Sequence, residues 1–262
     1  MPGWGKLSVR ELMCTISFAP TSGGFYLAMN RDEKRSRPVA VPPEIVSVGE
    51  RRAILPRDPK GGTWVSVNDV GVCLALINWH GIERNPVGEI ASRGKVTTSL
   101  ASASSSSEIT DRLMSLTLRR YRPFRIIGVI PSEQLVTEWR WNVEAVVNRT
   151  HAWQRQHWFS SGFDELRAEF ERGRVCDAAH RKKREPSIAS LRRLHQSHAP
   201  SRGPFSICMH RDDAVTVSYT EVEVSDLGVV MRYSNGSPCL MQPMITHTLP
   251  LCKVCPAVAT NS

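Results

Sequence analysis

Apolar residues alternate with polar ones from Thr15 to Phe18 and form a run from Phe25 to Met29, with Pro20-Thr21-Ser22-Gly23-Gly24 between them. Period-two spacing on both sides of turn chemistry predicts an antiparallel hairpin, and its return brings Asn30, Arg31 and Asp32 near Cys14. Pro38 to Pro59 reads as an irregular, Pro-rich connection with one short strand at Glu44 to Val48. Thr63 to Val67 alternates again, and Val72 to Ile77 is continuously apolar, a strand buried on both faces. The period then lengthens. Helices are predicted over 90–100 and 107–120, with Ser105-Ser106-Ser107-Glu108 matching a capping box. Strands follow at 124–130, 134–141 and 144–147, and then an aromatic, histidine-rich loop over 151–162. Two further helices are predicted, one with Phe163, Leu166, Phe170 and Val175 as its buried face, the other with Ile188, Leu191 and Leu194. Strands at 205–210, 214–224 and 227–233 complete the pattern, which is lost after Asn235-Gly236.

Two groups of strands with helices between and around them imply an α+β fold of packed sheets covered by helices. Residues 14–235 read as a single domain and 236–262 as a peripheral tail. Residues 1–13 read as a leader, or as a stretch preceding the working start if translation begins at Met13.

Composition narrows the class. With 262 residues and 41% hydrophobic content, the chain can bury a sizeable core. No run approaches the roughly 18 apolar residues of a membrane span. The first twelve residues contain no apolar secretory region. Seven cysteines, an odd number, fit reduced thiols in a reducing compartment, so the expected location is cytoplasmic. Cys252-Lys253-Val254-Cys255 has half-zinc-site spacing but no second pair nearby, and reads as solvated tail. His195 and His198 are i, i+3 without an acid or cysteine to complete a ligand set, so no metal is expected. The net charge is +9, concentrated between Arg172 and Arg202, where nine basic residues face two acidic ones. No interleaved aromatics accompany these charges, which argues for a solvated helical face rather than nucleic-acid binding.

The candidate chemistry is at Cys14. If the preceding methionine is removed, this cysteine carries a free α-amine, whose pKa of roughly 7.7–8.0 suits it to act as base for its own thiol.

Met13-Cys14-Thr15-Ile16, the tetrad Asn30-Arg31-Asp32-Glu33 with Ser36-Arg37-Pro38 behind it, and Gly61-Gly62-Thr63-Trp64 together resemble the family named for its Asn-Arg-Asp-Glu motif. This family includes the transport and Golgi organisation 2 proteins. It is grouped with the N-terminal nucleophile hydrolases, and its start is similar to that of the cysteine acylases acting on bile salts and penicillin V. The resemblance is dense from Cys14 to Gly81 and implies a four-layer αββα sandwich. It implies Cys14 as nucleophile, Asp32 orienting the amine, Arg31 or Arg202 favouring the thiolate, and Asn78 either holding the oxyanion or capping a strand end. Asn30, Trp64, Trp79, His80, Trp158 and Ser161 are the implied substrate contacts. The sequence departs from the acylases in two places: Ser160-Ser161 stands where Ser-Asn is expected, and Arg31 and Asp32 are adjacent rather than two residues apart. Cys14, Asp32 and Asn78 are expected to converge on one pocket, with the first hairpin and the strand ending at Ile77 as neighbours in one sheet. The implied activity is hydrolysis of a linear amide or thioester in a small acyl substrate, with no cofactor. The alternative is a non-catalytic haem or lipid carrier, with His80, His151 or His157 as haem contacts.

Overall fold

A computed structural model describes residues 13–82, 84, 86, 88–182 and 185–252, with the backbone alone for Lys182. The expected leader over 1–12, the end of the tail and Cys255 lie outside the described residues. The first hairpin forms as its spacing predicts, from β1 (Cys14–Thr21) and β2 (Gly24–Lys34). The irregular stretch expected next is instead a second hairpin, β3 (Val41–Val48) and β4 (Arg51–Arg57). Ala53, Ile54 and Leu55 are buried there, and Gly49 turns the chain at φ 61°. Pro42 and Pro43 are tolerated because β3 lies at a sheet edge and its register with β4 shifts between Val41 and Glu44, a bulge that spans both prolines and leaves no ladder bond unmade. After β5 (Val65–Asn68) and β6 (Cys73–Asn78) come two short helices, α1 (Gly94–Leu100) and α2 (Ser106–Ser115). Ser105 caps α2 by accepting from the Glu108 amide at 3.1 Å, while the Glu108 carboxylate accepts from the Ser104 amide at 2.7 Å.

β7 (Phe124–Ile130), β8 (Leu135–Trp141) and β9 (Val146–His151) follow. The aromatic loop contains a further strand, β10 (Gln156–Ser160), paired along β1. α3 (Glu165–Lys182) and α4 (Ile188–His195) precede β11 (Ala214–Ser225) and β12 (Gly228–Asn235). No strand forms over 205–210; only a bridge from His210 to Val215 remains of it. β13 (Ile245–Leu249) pairs with β12, so the sheet continues past residue 235 into the segment expected to be peripheral.

The described strands form two antiparallel sheets, a six-stranded one in the order β10-β1-β2-β11-β12-β13 and a seven-stranded one in the order β3 through β9. β1 and β6 are therefore not sheet neighbours, contrary to expectation. They belong to different sheets whose inner faces meet, with Ile16, Phe18, Phe25, Leu27 and Met29 packing against Ile54, Val65, Cys73, Ala75, Ile77 and Ile127. Each fully buried side chain of this size contributes about 1.5–3 kcal/mol relative to exposure. The outer face of the seven-stranded sheet carries Leu74, Leu76, Phe124 and Trp139 against Val96, Leu100, Ile109 and Leu113 of α1 and α2. The outer face of the six-stranded sheet carries Ala19, Ala28, Phe159 and Tyr219 against Leu191, Cys176 and Leu194 of α3 and α4.

α3 is turned away from its predicted face. Leu166 and Phe170 are exposed, at 81% and 61%, and the buried stripe is Ala168, Arg172 and Cys176 at spacing i, i+4, i+8. Among the described residues no helix is long and apolar enough to cross a membrane.

Candidate active site

Cys14 opens β1 between two partners, with Arg31 of β2 opposite it on one side and Ser160 of β10 on the other. Strand pleating decides what each neighbour faces. Cys14, Arg31 and Trp64 look into the interface between the sheets. Thr15, Asn30 and Asp32 look outward toward α3 and α4. The Asn-Arg-Asp-Glu tetrad is thus divided by alternation, with Arg31 and Glu33 on one side of the sheet and Asn30 and Asp32 on the other.

On the inner side the Arg31 guanidinium lies 4.2 Å above the Trp64 ring and pairs with Glu33 at 3.3 Å and Asp58 at 3.6 Å. Arg37 joins the same acids, at 2.5 Å from Asp58 and 3.6 Å from Glu33. The Trp64 indole N–H is buried in this cluster without an acceptor among the described residues. Burial pushes the Cys14 thiol up to about 12, with the Asp32 charge adding to the shift. The Asp32 amide hydrogen and the Arg31 charge oppose it. The thiol is therefore protonated at neutral pH while Met13 is attached. Arg93, unremarked in the sequence, also lies within electrostatic reach of Cys14 and Glu33, and burial lowers its own pKa to about 10.

On the outer side, Arg172 is the residue that sequence reasoning missed. It is fully buried, donates to Thr15 Oγ1 at 2.8 Å and to the Cys14 carbonyl at 3.4 Å, and lies 3.5 Å from Asp32 Oδ2, an ion pair without an aligned hydrogen bond. Thr216 donates to Asp32 Oδ1 at 2.6 Å. Desolvation nevertheless raises the Asp32 carboxyl to about 7, against the opposing pull of Arg172 and Thr216. A charge in the middle of α3 reads as solvent-facing; only the unusual stripe of Ala168 and Cys176 on either side of Arg172 signals that this face is buried.

Met13 closes the site. Its carbonyl accepts from the Asp32 amide at 3.0 Å, its sulfur accepts from Ser161 Oγ at 2.9 Å, and its fully buried side chain packs on Met209 and Ala214. The Cys14 peptide nitrogen donates to Ser160 Oγ at 3.0 Å. Ser161 also accepts from the Phe163 and Asp164 amides at the start of α3, so it is a cap as well as a wall of this site.

The remaining expected residues are dispersed. Asn78 does not join Cys14. It pairs with Phe124, which packs under α1 and α2, so Asn78 lies on the outer face of the seven-stranded sheet. Asn30 has no free polar group for a substrate: it donates to the His195 and Ile207 carbonyls at 3.0 and 2.8 Å and meets His195 Nδ1 through Oδ1 at 3.0 Å. Arg202 is exposed, and its Nη2 lies 3.3 Å from His210 rather than near the thiol. Trp79 lies under Arg140, whose guanidinium is 5.7 Å from the ring, and the His80 and Gly81 amides approach the Glu165 carboxylate. Trp158 packs in the inter-sheet core with its ring edge against His151. Of the proposed haem contacts, His151 meets Glu138 at 3.3 Å, and both nitrogens of His157 are engaged, with Ser17 at 2.8 Å and His180 at 3.0 Å. A cleft of about 850 Å³ opens between α3 and α4 around Val175, Ala179, Leu191 and Leu194, and none of its lining residues belongs to the Cys14 cluster.

No curated protein matches the sequence. Among solved structures, the chain is similar to a mutant of the conjugated bile acid hydrolase from Clostridium perfringens in which a cysteine is replaced by alanine. The TM-score is 0.53 and the identity 9%, with 95% of this chain and 100% of that chain covered. A second variant of the same hydrolase, with an arginine replaced by leucine, gives a TM-score of 0.51 at 9% identity, with the same coverage. The penicillin V acylase from Agrobacterium tumefaciens gives 0.46 at 9% identity, covering 85% and 82%. These likenesses concern the fold. The family model described as Transport and Golgi organisation 2 matches residues 13–198, which include β1 to α4 with Cys14, the Asn30–Glu33 tetrad, Ser160 and Arg172, and the chain therefore belongs to that family.

Proposed function

We propose that this protein is a cysteine N-terminal nucleophile hydrolase with the four-layer αββα arrangement, acting on the amide or thioester bond of a small acyl substrate. The observation that carries this reading is the position of Cys14 at the start of β1. Its nitrogen lies 3.0 Å from Ser160 Oγ, and the Asp32 amide beside it holds a carbonyl, that of Met13, at 3.0 Å. With Met13 removed, that nitrogen is an amine. It takes the proton of the Cys14 thiol, the thiolate adds to the substrate carbonyl carbon, and the Asp32 N–H vacated by Met13 receives the developing oxyanion. Collapse of the adduct expels the amine or thiol leaving group, which takes the proton from the α-ammonium. Water then hydrolyses the thioester. Asp32 and Arg172 fix the Cys14 backbone from the outer side.

The test compares a chain beginning at Cys14 with one that retains Met13, each treated with an activated acyl ester and read by intact mass. One acyl adduct on the Cys14-start chain, absent from Cys14→Ala and from the Met13-bearing chain, is the expected result. Equal labelling of Cys14→Ala removes the hydrolase reading, and saturable haem binding without acylation replaces it with the carrier.

A further inference from the structure

A second chemical cluster lies just behind the Met13 wall, built by three segments distant in sequence. His198 follows α4, Cys208 and His210 lie on the connection to β11, and Cys239 lies on the turn Pro238–Leu240 after β12. One donor atom from each of the four lies within 4.8 Å of all the others. Cys208 Sγ and Cys239 Sγ are 3.6 and 3.4 Å from His210 Nε2. Bond lengths of about 2.3 Å to sulfur and 2.0–2.1 Å to nitrogen at a tetrahedral angle give a sulfur-to-nitrogen edge of about 3.6 Å. The His198 ring stands edge-on to that of His210 at 5.0 Å, and its Nε2 is buried with no hydrogen-bond partner among the described residues. A buried thiol and a second half-buried one meet on the His210 ring, and the orphaned Nε2 of His198 converges on the same point; packing alone would leave that buried nitrogen unsatisfied.

We propose that His198, Cys208, His210 and Cys239 form a tetrahedral zinc-type site. Two thiolates and two imidazoles match a soft, four-coordinate divalent ion, and four protein ligands leave no open position for catalysis, so the site is structural. Binding M²⁺ to the two thiols releases two protons and leaves a neutral centre. His210 coordinates through Nε2, so its Nδ1 carries the ring proton. Arg202, which donates toward that nitrogen at 3.3 Å and is exposed, turns into solvent. The site reaches the candidate active site through Met209, which lies between two of the ligands. Its side chain packs on Met13, its amide donates to Thr216 Oγ1 at 2.9 Å, and Thr216 in turn holds Asp32. The ion thereby fixes one wall of the Cys14 site. The spacing His-x9-Cys-x-His-x28-Cys has no paired Cys-x-x-Cys, which is why sequence inspection pairs His198 only with His195 and finds no cysteine to complete a ligand set.

The test uses the full chain with a histidine-free tag, purified reduced and without chelator. Elemental mass spectrometry should find about one zinc per chain. After stripping with EDTA, anaerobic Co²⁺ should give the intense visible bands of tetrahedral cobalt and a thiolate charge-transfer band, saturating at one equivalent and bleached by zinc. Cys239→Ser and His198→Asn, both at half-buried positions, should each weaken cobalt binding by at least about 100-fold, more than loss of an outer-shell partner costs. Circular dichroism identifies which variants are folded before titration. Cys252→Ser/Cys255→Ser should leave the spectrum intact. The proposal is overturned if reduced wild-type protein binds neither ion or if the bands survive Cys239→Ser. It is equally overturned if the bands vanish with the tail pair, or if Cys208 and Cys239 are found joined in a disulfide in the protein as isolated.

Discussion

Arg172 and Asp32 show how a single buried charge pair is legible in structure and nearly invisible in sequence. The sequence marks Asp32 through the tetrad, whereas its partner lies 140 residues later, inside a basic segment that reads as solvated. Only tertiary packing turns that face inward. Removing the cation leaves a buried carboxylate uncompensated wherever Asp32 is ionised: Arg172→Met is expected to lose up to about 3–5 kcal/mol of stability above pH 7, measured by urea unfolding. The loss should shrink in acid, where the carboxyl is protonated. Asp32 also predicts a pH dependence. Its folded-state value of about 7 stands above the ordinary 3.8, so between those values the folded chain holds a proton that the unfolded chain has lost. Stability therefore falls as pH rises through this window, by up to about 4 kcal/mol. Asp32→Asn should flatten the unfolding free energy against pH between about 4 and 7. An unchanged slope in that variant would show that another group titrates.

At the level of elements, the hairpin that carries Cys14 is the clearest product of local pattern, because alternation, turn residues and burial all agree. Gly24 shows how tight that agreement is. It sits at φ 155°, and a Cβ there would come within 2.0 Å of the Val224 carbonyl oxygen on β11. Gly24→Ala should therefore cost about 3 kcal/mol or more and be read as a lower urea midpoint; a neutral result would mean that β11 yields at this point. Other elements were less legible, for physical reasons. β3 carries prolines that only an edge strand tolerates. β10 hides in an aromatic segment because its one histidine, His157, faces outward and bonds to Ser17 of β1 and His180 of α3. α3 misleads because its exposed face holds large apolar residues while its buried face holds alanine, arginine and cysteine.

At the scale of the whole molecule, packed sheets covered by helices follow from counting strands and helices, but the assignment of strands to sheets does not. Alternation says that a strand has two faces, not which sheet it joins, and so the expected adjacency of β1 and β6 became a face-to-face contact. The segment after residue 235 illustrates the same limit: β13 has little pattern of its own, yet Leu249 is 2% exposed in the main core. Truncation after Gln242 should uncover the ladder groups of β12 and produce aggregates detectable by light scattering; a monodisperse product would make β13 dispensable. One further contact governs how this body can breathe. Arg125, on the inner face of the seven-stranded sheet and held by Glu138 at 2.5 Å, donates to the Phe159 carbonyl of the six-stranded sheet at 3.1 Å. Phe159 is next to Ser160, the residue that holds the Cys14 nitrogen. The two sheets are thus riveted together beside the nucleophile and cannot shear there without stranding a buried guanidinium. Room for a substrate has to come from the other side, where Met13 lies against the connection between α4 and β11. Hydrogen exchange should find that connection opening far more often than the amides of β1 and β10.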